Sequence, residues 1–539
     1  MFMFATRPFW LNMRVPLVKV KERYAFFFGT QDLTIDSADK SIEILKNVID
    51  TIQNDFISKI KNTSPNEILF RLHYIFGEVY SLYLYEKEQR HELSILGSTN
   101  IIDTFEQNKN IMRNIIDACN IWIENCVLYQ KESDDILKAK ENGYKMDFDF
   151  LIDLYLYGMA SRSLSLIALT KKFDKTYSFY GLEITPDMNI PAEVLKNHPI
   201  VYFNTSLVGN QDALTIQALS VNANITDFGK GFSKENRVEF LLFLAALKSF
   251  QETELRNDEK SLVVISKDRF FYYIERCTNP KIISQSFYES FVLNKEKLQS
   301  HLGKDTAIWK IGVNKYRYEI RPFIDLGNEY IFVSYAALEQ AINLWCNFYS
   351  NGGMCYTTHK DELTNGIDLR NKELSTIVVD KLIEILNNHH APYFCDKDVD
   401  YKRIFGIKTI DYGDYDIVYY VKESSELYLI EAKYFSDSFN SSGMKNDLDK
   451  MFGNGKYYEH CRKRYDLVIT ESEKIKNFIG AKGVLKVHFL FISSKPLELE
   501  FQDDDKVVTF LSLNIFDKYI NGNLLSEDGE NVMRPTLEI

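Results

Sequence analysis

Apolar residues recur along the first third of the chain at the three- and four-residue intervals of helices that bury one side. Ile42, Ile44, Leu45, Val48, Ile49 and Ile52 form such a stripe after a Ser37/Asp39 start signal, and similar stripes follow over 66–86, 104–130 and 147–171. They share no fixed period, so no solenoid is indicated. Over 181–305 the pattern is mixed. Val201–Phe203, Leu262–Ser266 and Phe270–Ile274 read as short strands, with Val238–Phe250 a buried helix among them. Ile308–Val313, Tyr316–Ile324 and Tyr330–Ser334 read as further strands. A helix over Ala336–Tyr349 follows and stops at Asn351-Gly-Gly353.

The pattern changes again near 366. A helix is predicted over Glu373–Asn388, with apolar residues at 374, 377, 378, 382, 385 and 386. A strand near Tyr401–Lys408 precedes two stronger ones, Asp416–Val421 and Leu427–Lys433. A polar loop, a basic helix around 446–465 and an apolar strand Val484–Ile492 complete a compact α/β module. The expected organisation is a mainly helical region over 1–180, a mixed α/β region over 181–365, and this module with a polar tail over 366–539.

Composition narrows the function classes. With 45% hydrophobic and 26% charged residues the chain is not a disordered polymer. Its 64 Lys+Arg against 76 Asp+Glu give a net charge of −12, so its overall field does not attract a polyanion. Any nucleic-acid function must work through a local basic patch or a bound cation. Phe240–Leu247, the longest strongly apolar run, is far short of a membrane span. Arg7 and Pro8 interrupt the apolar start, and no signal peptide is expected. Seven scattered cysteines without a Cys-x-x-Cys pair point to a reduced, cytoplasmic protein.

The candidate chemistry lies in Asp411–Tyr420 and Leu427-Tyr-Leu-Ile-Glu-Ala-Lys433, two β-rich runs joined by a turn. With a four-residue loop over Glu423–Glu426, Asp416 opposes Lys433 and Val418 opposes Glu431. Asp416, Glu431 and Lys433 then share one face of the sheet. A loop one residue longer would turn Asp416 to the other face. Carboxylates and an ammonium at the end of an apolar strand cost desolvation unless they are paired or hold a cation. Two converging carboxylates suit Mg²⁺, which leaves positions for water and phosphate and lowers the pKa of a bound water. A nearby lysine can position that water or stabilise developing charge.

On these residues, Asp416…Glu431-Ala-Lys433 in a hairpin after an acidic helix, the segment 366–500 resembles the PD-(D/E)xK nuclease superfamily. The resemblance implies a restriction endonuclease-like α/β domain with a central mixed sheet flanked by helices. It also implies metal binding by Asp416 and Glu431, help from the Ala432 carbonyl, and a catalytic Lys433. Glu373 is the best match to the glutamate such folds often add from the first helix, and Glu384 is the alternative. The proline that nominally precedes the aspartate is Tyr415 here.

Beyond the motif, Lys456, His460 and Lys463 fall at i, i+4 and i+7 with Arg462 and Arg464 alongside, a candidate set of phosphate contacts. Cys355, His359, His389, His390 and Cys395 form a loose set for zinc. Asp227-Phe-Gly229 and Gly453-Asn-Gly-Lys456 lack the companion motifs of a kinase or a Walker A loop. The expected protein is a cytoplasmic endonuclease that uses Mg²⁺, with Mn²⁺ substituting, and acts on nucleic acid, DNA favoured over RNA. A large N-terminal part suggests regulation, as in a bacterial defence or restriction effector, by a partner protein or a homodimer. The alternative is an inactive nucleic-acid-binding or scaffold protein that keeps the nuclease fold.

Overall fold

The computed structural model describes residues 7–539 apart from 31–32, 36, 95–98, 132–135, 171–176, 181–182, 187–222, 259, 279–280, 302–315, 328, 353–361, 408–411, 437–449, 495–506 and 525–536. The strands expected at Val201–Phe203 and Ile308–Val313 lie outside the described residues. Elsewhere the chain mixes helix and sheet, beginning with a helical region.

The N-terminal stripes become four long helices: α1 (Ala38–Asn62), α2 (Pro65–Ser94), α3 (Thr99–Leu128) and α4 (Phe148–Thr170). The α1 stripe is buried as its spacing requires, with Leu45, Val48, Ile52 and Phe56 turned inward. Phe56 stacks on Trp122 of α3 with ring centres 3.9 Å apart. Ser37 caps α1 by accepting the Lys40 N–H. Among the described residues no helix is long and apolar enough to cross a membrane.

The middle region holds a four-stranded mixed sheet of β1 (Leu262–Ser266), β2 (Val292–Leu293), β3 (Phe323–Gly327) and β4 (Tyr330–Ser334), in the order β1-β4-β3-β2. Phe270–Ile274, expected as a strand, lies instead in the helix Lys267–Thr278. Phe270 and Ile274, four apart, are both buried there, and a helix puts them on one side. The Tyr316–Ile324 strand is also corrected: Tyr318–Ile320 is a 3₁₀ turn and β3 starts at Phe323. That turn is anchored on the helical region. The buried Glu124 carboxylate of α3 accepts the Tyr318 N–H at 2.8 Å and pairs with Arg317 at 3.1 Å.

Two further helices tie this region to the rest. α5 (Asp227–Asn236) precedes the sheet, and α6 (Tyr335–Asn351) follows it and ends at Gly352, whose φ of 63° suits glycine. The next helix, α7 (Glu362–His389), is longer than the expected Glu373–Asn388 because it serves two cores. Leu363 and Ile367 are buried with Phe228 and Phe232 of α5, while Val378, Val379, Leu382 and Leu386 are buried against the C-terminal sheet. At the α5–α7 crossing the backbones touch through glycine. A Cβ on Gly366 would sit 2.7 Å from the Asp227 carbonyl oxygen, and one on Gly231 would sit 2.5 Å from that of Glu362.

The C-terminal sheet comprises β5 (Phe394–Asp400), β6 (Asp414–Val421), β7 (Glu426–Lys433), β8 (Lys486–Ser493) and β9 (Thr509–Ser512), in the order β9-β8-β7-β6-β5. Leu537–Glu538 adds a short antiparallel strand beside β8. β6 runs antiparallel to both β5 and β7, whereas β7, β8 and β9 are mutually parallel. The strand expected at Tyr401–Lys408 is corrected to β5 followed by a short helix, α8 (Tyr401–Phe405), capped by Asp400 and stopped at Gly406 with φ 73°. On one face, Val418, Leu427, Leu429, Val487 and Phe489 pack with Cys461 and Val468 of α9 (Tyr457–Thr470). On the other, Ile417, Tyr428, Ile430 and Leu490 meet α7 and α10 (Leu513–Ile520).

Candidate active site

The β6–β7 hairpin turns over Lys422–Ser425, one residue earlier than the expected loop, with Ser425 at φ 57°. Val418 therefore opposes Leu429, not Glu431, and the same register carried on sets Asp416 opposite Glu431 instead of Lys433. The two-residue difference leaves the faces unchanged, because side chains alternate with period two. Asp416, Glu431 and Lys433 consequently share the face covered by α9.

The antiparallel ladder ends at Ile417 and Ile430, while β7 stays paired with β8 through Lys433. Just beyond that end the Asp416 carboxylate, in place of a β6 backbone carbonyl, accepts the Ala432 N–H at 2.7 Å. The same oxygen, Oδ2, receives the Lys433 ammonium at 2.9 Å, and Lys433 reaches Glu431 Oε1 at 2.6 Å. Oxygens of both carboxylates thus converge on one cationic nitrogen. The Tyr457 ring at the start of α9 lies 5.2 Å from that nitrogen.

Arg464 of α9 completes the group. Its Nη2 donates to Glu431 Oε2 at 2.5 Å, its guanidinium lies 5.1 Å from the centre of the Tyr415 ring, and its side chain is 2% exposed. The sequence placed Arg464 only beside the expected phosphate contacts. The available signal was an arginine in the buried stripe Cys461, Arg464, Val468, where an apolar residue is the norm. Tyr415, at the nominal proline position, is the buried ring that supports it.

The two carboxylates occupy different electrostatic surroundings. Burial, and then the adjacent Glu431 charge, push Asp416 up to about 6, against the opposing pull of Lys433. Burial acts against Glu431 as well, but Arg464 and Lys433 outweigh it and hold that carboxyl below its usual value. Burial opposes the Lys433 charge, yet Glu431 and Asp416 keep the ammonium firmly protonated.

The remaining candidates are placed elsewhere. Glu373 lies exposed on α7, receives Arg370 at 2.9 Å, and its helix covers the opposite face of the sheet; Glu384 is exposed on the same helix. Among the described residues no three His, Cys, Asp or Glu side chains group as a metal site, so neither glutamate joins Asp416 and Glu431. Lys456 is the residue before α9 and is exposed. Arg462 faces solvent, and Lys463 pairs with Glu459 at 2.5 Å beside the Tyr412 ring. His460 turns toward the hairpin: a Cβ on Gly413 would lie 3.8 Å from its Nδ1 and 4.0 Å from Arg464 Nη1. Of the zinc candidates, Cys355 and His359 lie outside the described residues, Cys395 is an exposed free thiol, and His389 bonds Asp517 at 2.8 Å.

Asp416 and Glu431 suit a hard divalent cation: both offer oxygen, both face one cationic point, and the set is too small to enclose the ion. The Ala432 carbonyl stands in the same strand. No family model, characterised protein or solved structure matches this chain.

Proposed function

We propose that the C-terminal module is a PD-(D/E)xK-like, restriction endonuclease-type domain and that the protein is a Mg²⁺-dependent endonuclease, DNA favoured over RNA. The observation that carries this reading is the convergence of Asp416, Glu431 and Lys433 just past the end of the β6–β7 ladder. Asp416 and Glu431 would hold the cation, with the Ala432 carbonyl as a further oxygen. A bound Mg²⁺ would supply a water of lowered pKa and shield the phosphate charge. Lys433, kept protonated by its two carboxylates, serves as a hydrogen-bond donor to a phosphate oxygen rather than as a base. Its long stem and 22% exposure let the ammonium move from the carboxylates toward substrate. His460 and Lys463 of α9, with Lys456 just before it, offer contacts to neighbouring phosphates.

The continuous α7 offers a route for regulation, and we propose an enzyme of the defence or restriction type on the size of the N-terminal part that precedes the module. One helix packs in both the middle and the C-terminal cores, so displacement of the former acts on the latter. Tyr434, directly after Lys433, also donates to the Asn351 carbonyl at the end of α6 at 2.7 Å. A cytoplasmic setting agrees with the buried free thiols Cys119, Cys126, Cys346 and Cys461.

One observation favours the second reading, a nucleic-acid-binding or scaffold protein without turnover. Both carboxylates are already neutralised by Lys433 and Arg464. The experiment is incubation of the wild type with plasmid, single-stranded DNA and RNA, in Mg²⁺, Mn²⁺ or chelator. Cutting that requires the metal supports the enzyme; binding without cutting under every condition supports the scaffold.

A further inference from the structure

The charge count of the site carries one step further. Asp416 and Glu431 contribute two negative charges, and Lys433 and Arg464 two positive ones. The two cations differ in freedom. Lys433 has an exposed route and a flexible stem, so it can leave when another cation enters. Arg464 cannot: it is enclosed by Glu431, the Tyr415 ring and Cys461 Sγ at 3.4 Å. Its Nε and Nη1 are also buried and find no partner among the described residues. A divalent cation placed between the carboxylates therefore meets a fixed positive charge one carboxylate away, in a partly desolvated setting where such repulsion is large. Only an incoming anion relieves it.

Building on the nuclease reading of this site, we propose that Arg464 is a positioning residue that makes cation binding conditional on nucleic acid. Its guanidinium holds Glu431 Oε2, leaving Oε1 to face the cation, and its charge keeps the empty site's affinity for the cation low. A phosphodiester supplies the compensating negative charge, so cation and nucleic acid bind cooperatively. The coupling is reciprocal: the cation strengthens nucleic-acid binding by the factor by which nucleic acid strengthens cation binding.

The test is Mn²⁺ affinity, read by electron paramagnetic resonance on the full-length protein. It is measured alone and with nuclease-resistant phosphorothioate oligonucleotides, DNA in one arm and RNA in another. Wild type should bind free Mn²⁺ weakly and gain about tenfold or more with the oligonucleotide that it recognises. Arg464→Gln should bind free Mn²⁺ about tenfold more tightly than wild type and lose most of the gain. Arg464→Lys, which keeps the charge, should retain the gain, and with the wild-type arms it carries the test if the glutamine variant does not fold. Tight Mn²⁺ binding by wild type without oligonucleotide, or an unchanged Arg464→Gln affinity, overturns the role of Arg464 while leaving metal-dependent cleavage intact. No Mn²⁺ binding by any protein with either oligonucleotide overturns this proposal and the nuclease reading together.

Discussion

Neutralising either carboxylate of the site removes one negative charge, yet the two substitutions should move stability in opposite directions. Asp416 is a carboxylate whose surroundings disfavour its charge, with a folded pKa near 6 against an ordinary value of 3.8. A folded pKa raised in this way contributes stability at low pH that is lost as pH rises between those two values. By pH 8 the loss is about 3 kcal/mol, at 1.36 kcal/mol for each pKa unit. Asp416→Asn recovers part of it: its amide oxygen can still accept the Ala432 N–H, but its NH₂ group faces Lys433. A net gain of about 1–2 kcal/mol at pH 8 is expected, vanishing near pH 4.

Glu431 is the reverse case, held charged by two partners at 2.5 and 2.6 Å. Glu431→Gln leaves Arg464 buried without a counter-charge, which costs about 3–5 kcal/mol. Because the folded pKa of Glu431 is depressed, this cost is present at neutral pH and shrinks as acid protonates the wild-type residue. The assay must report on the C-terminal module. Tryptophan fluorescence does not, since Trp10, Trp122, Trp309 and Trp345 all precede residue 366. Amide hydrogen exchange of Ile417 and Ile430, in chelator at pH 5 and 8, reads the ladder directly. Equal destabilisation by both variants at pH 8 would refute the reasoning.

Gly366→Val should force α7 away from the Asp227 carbonyl and destabilise the α5–α7 crossing by about 1–3 kcal/mol, read as faster exchange in both helices. Glu373→Ala should leave the metal-dependent cleavage rate within about twofold of wild type, because the residue is solvent-exposed on the far face of the sheet. A tenfold loss would return Glu373 to the site. Glu426, pulled down to about 2 chiefly by His488, whose Nε2 lies 3.8 Å from its Oε1, contributes stability above the ordinary carboxylate range that is lost as pH falls toward 2. Glu426→Gln should therefore cost about 2–3 kcal/mol at pH 7 and nearly nothing at pH 2, checked by denaturant melts followed by exchange at β7.

α1 was legible because it buries one side, so sequence period and burial coincide, whereas α4 is buried all round from Phe150 to Ser161 and was legible from its sustained apolar run. Phe270–Ile274 misled because a run of aromatic residues has strand-like composition, and only the packing of Phe270 and Ile274 into one core distinguishes a helix. At Tyr401 the cues were present, Asp400 before the helix and Gly406 after it, but the helix is a single turn. The Asp416, Glu431 and Lys433 cluster was readable because alternation in a hairpin fixes faces even when the register is two residues off. Glu373 was misplaced for the complementary reason: which face of a sheet a helix covers depends on the connections, not on the helix's own pattern. Arg464 was overlooked because its partner is 33 residues away and its burial is a property of the assembled module.

The measurement that bears most directly on the catalytic assignment compares cleavage with binding in Lys433→Ala. Nucleic-acid affinity is measured in Ca²⁺ and the cleavage rate in Mg²⁺, on protein whose exchange pattern across β6 and β7 is native. Wild type should cut in Mg²⁺ and stop in chelator, and Lys433→Ala should bind within a few-fold of wild type while its cutting falls by at least about a hundredfold. A Lys433→Ala protein that cuts at the wild-type rate would contradict the assignment of this cluster as the active site.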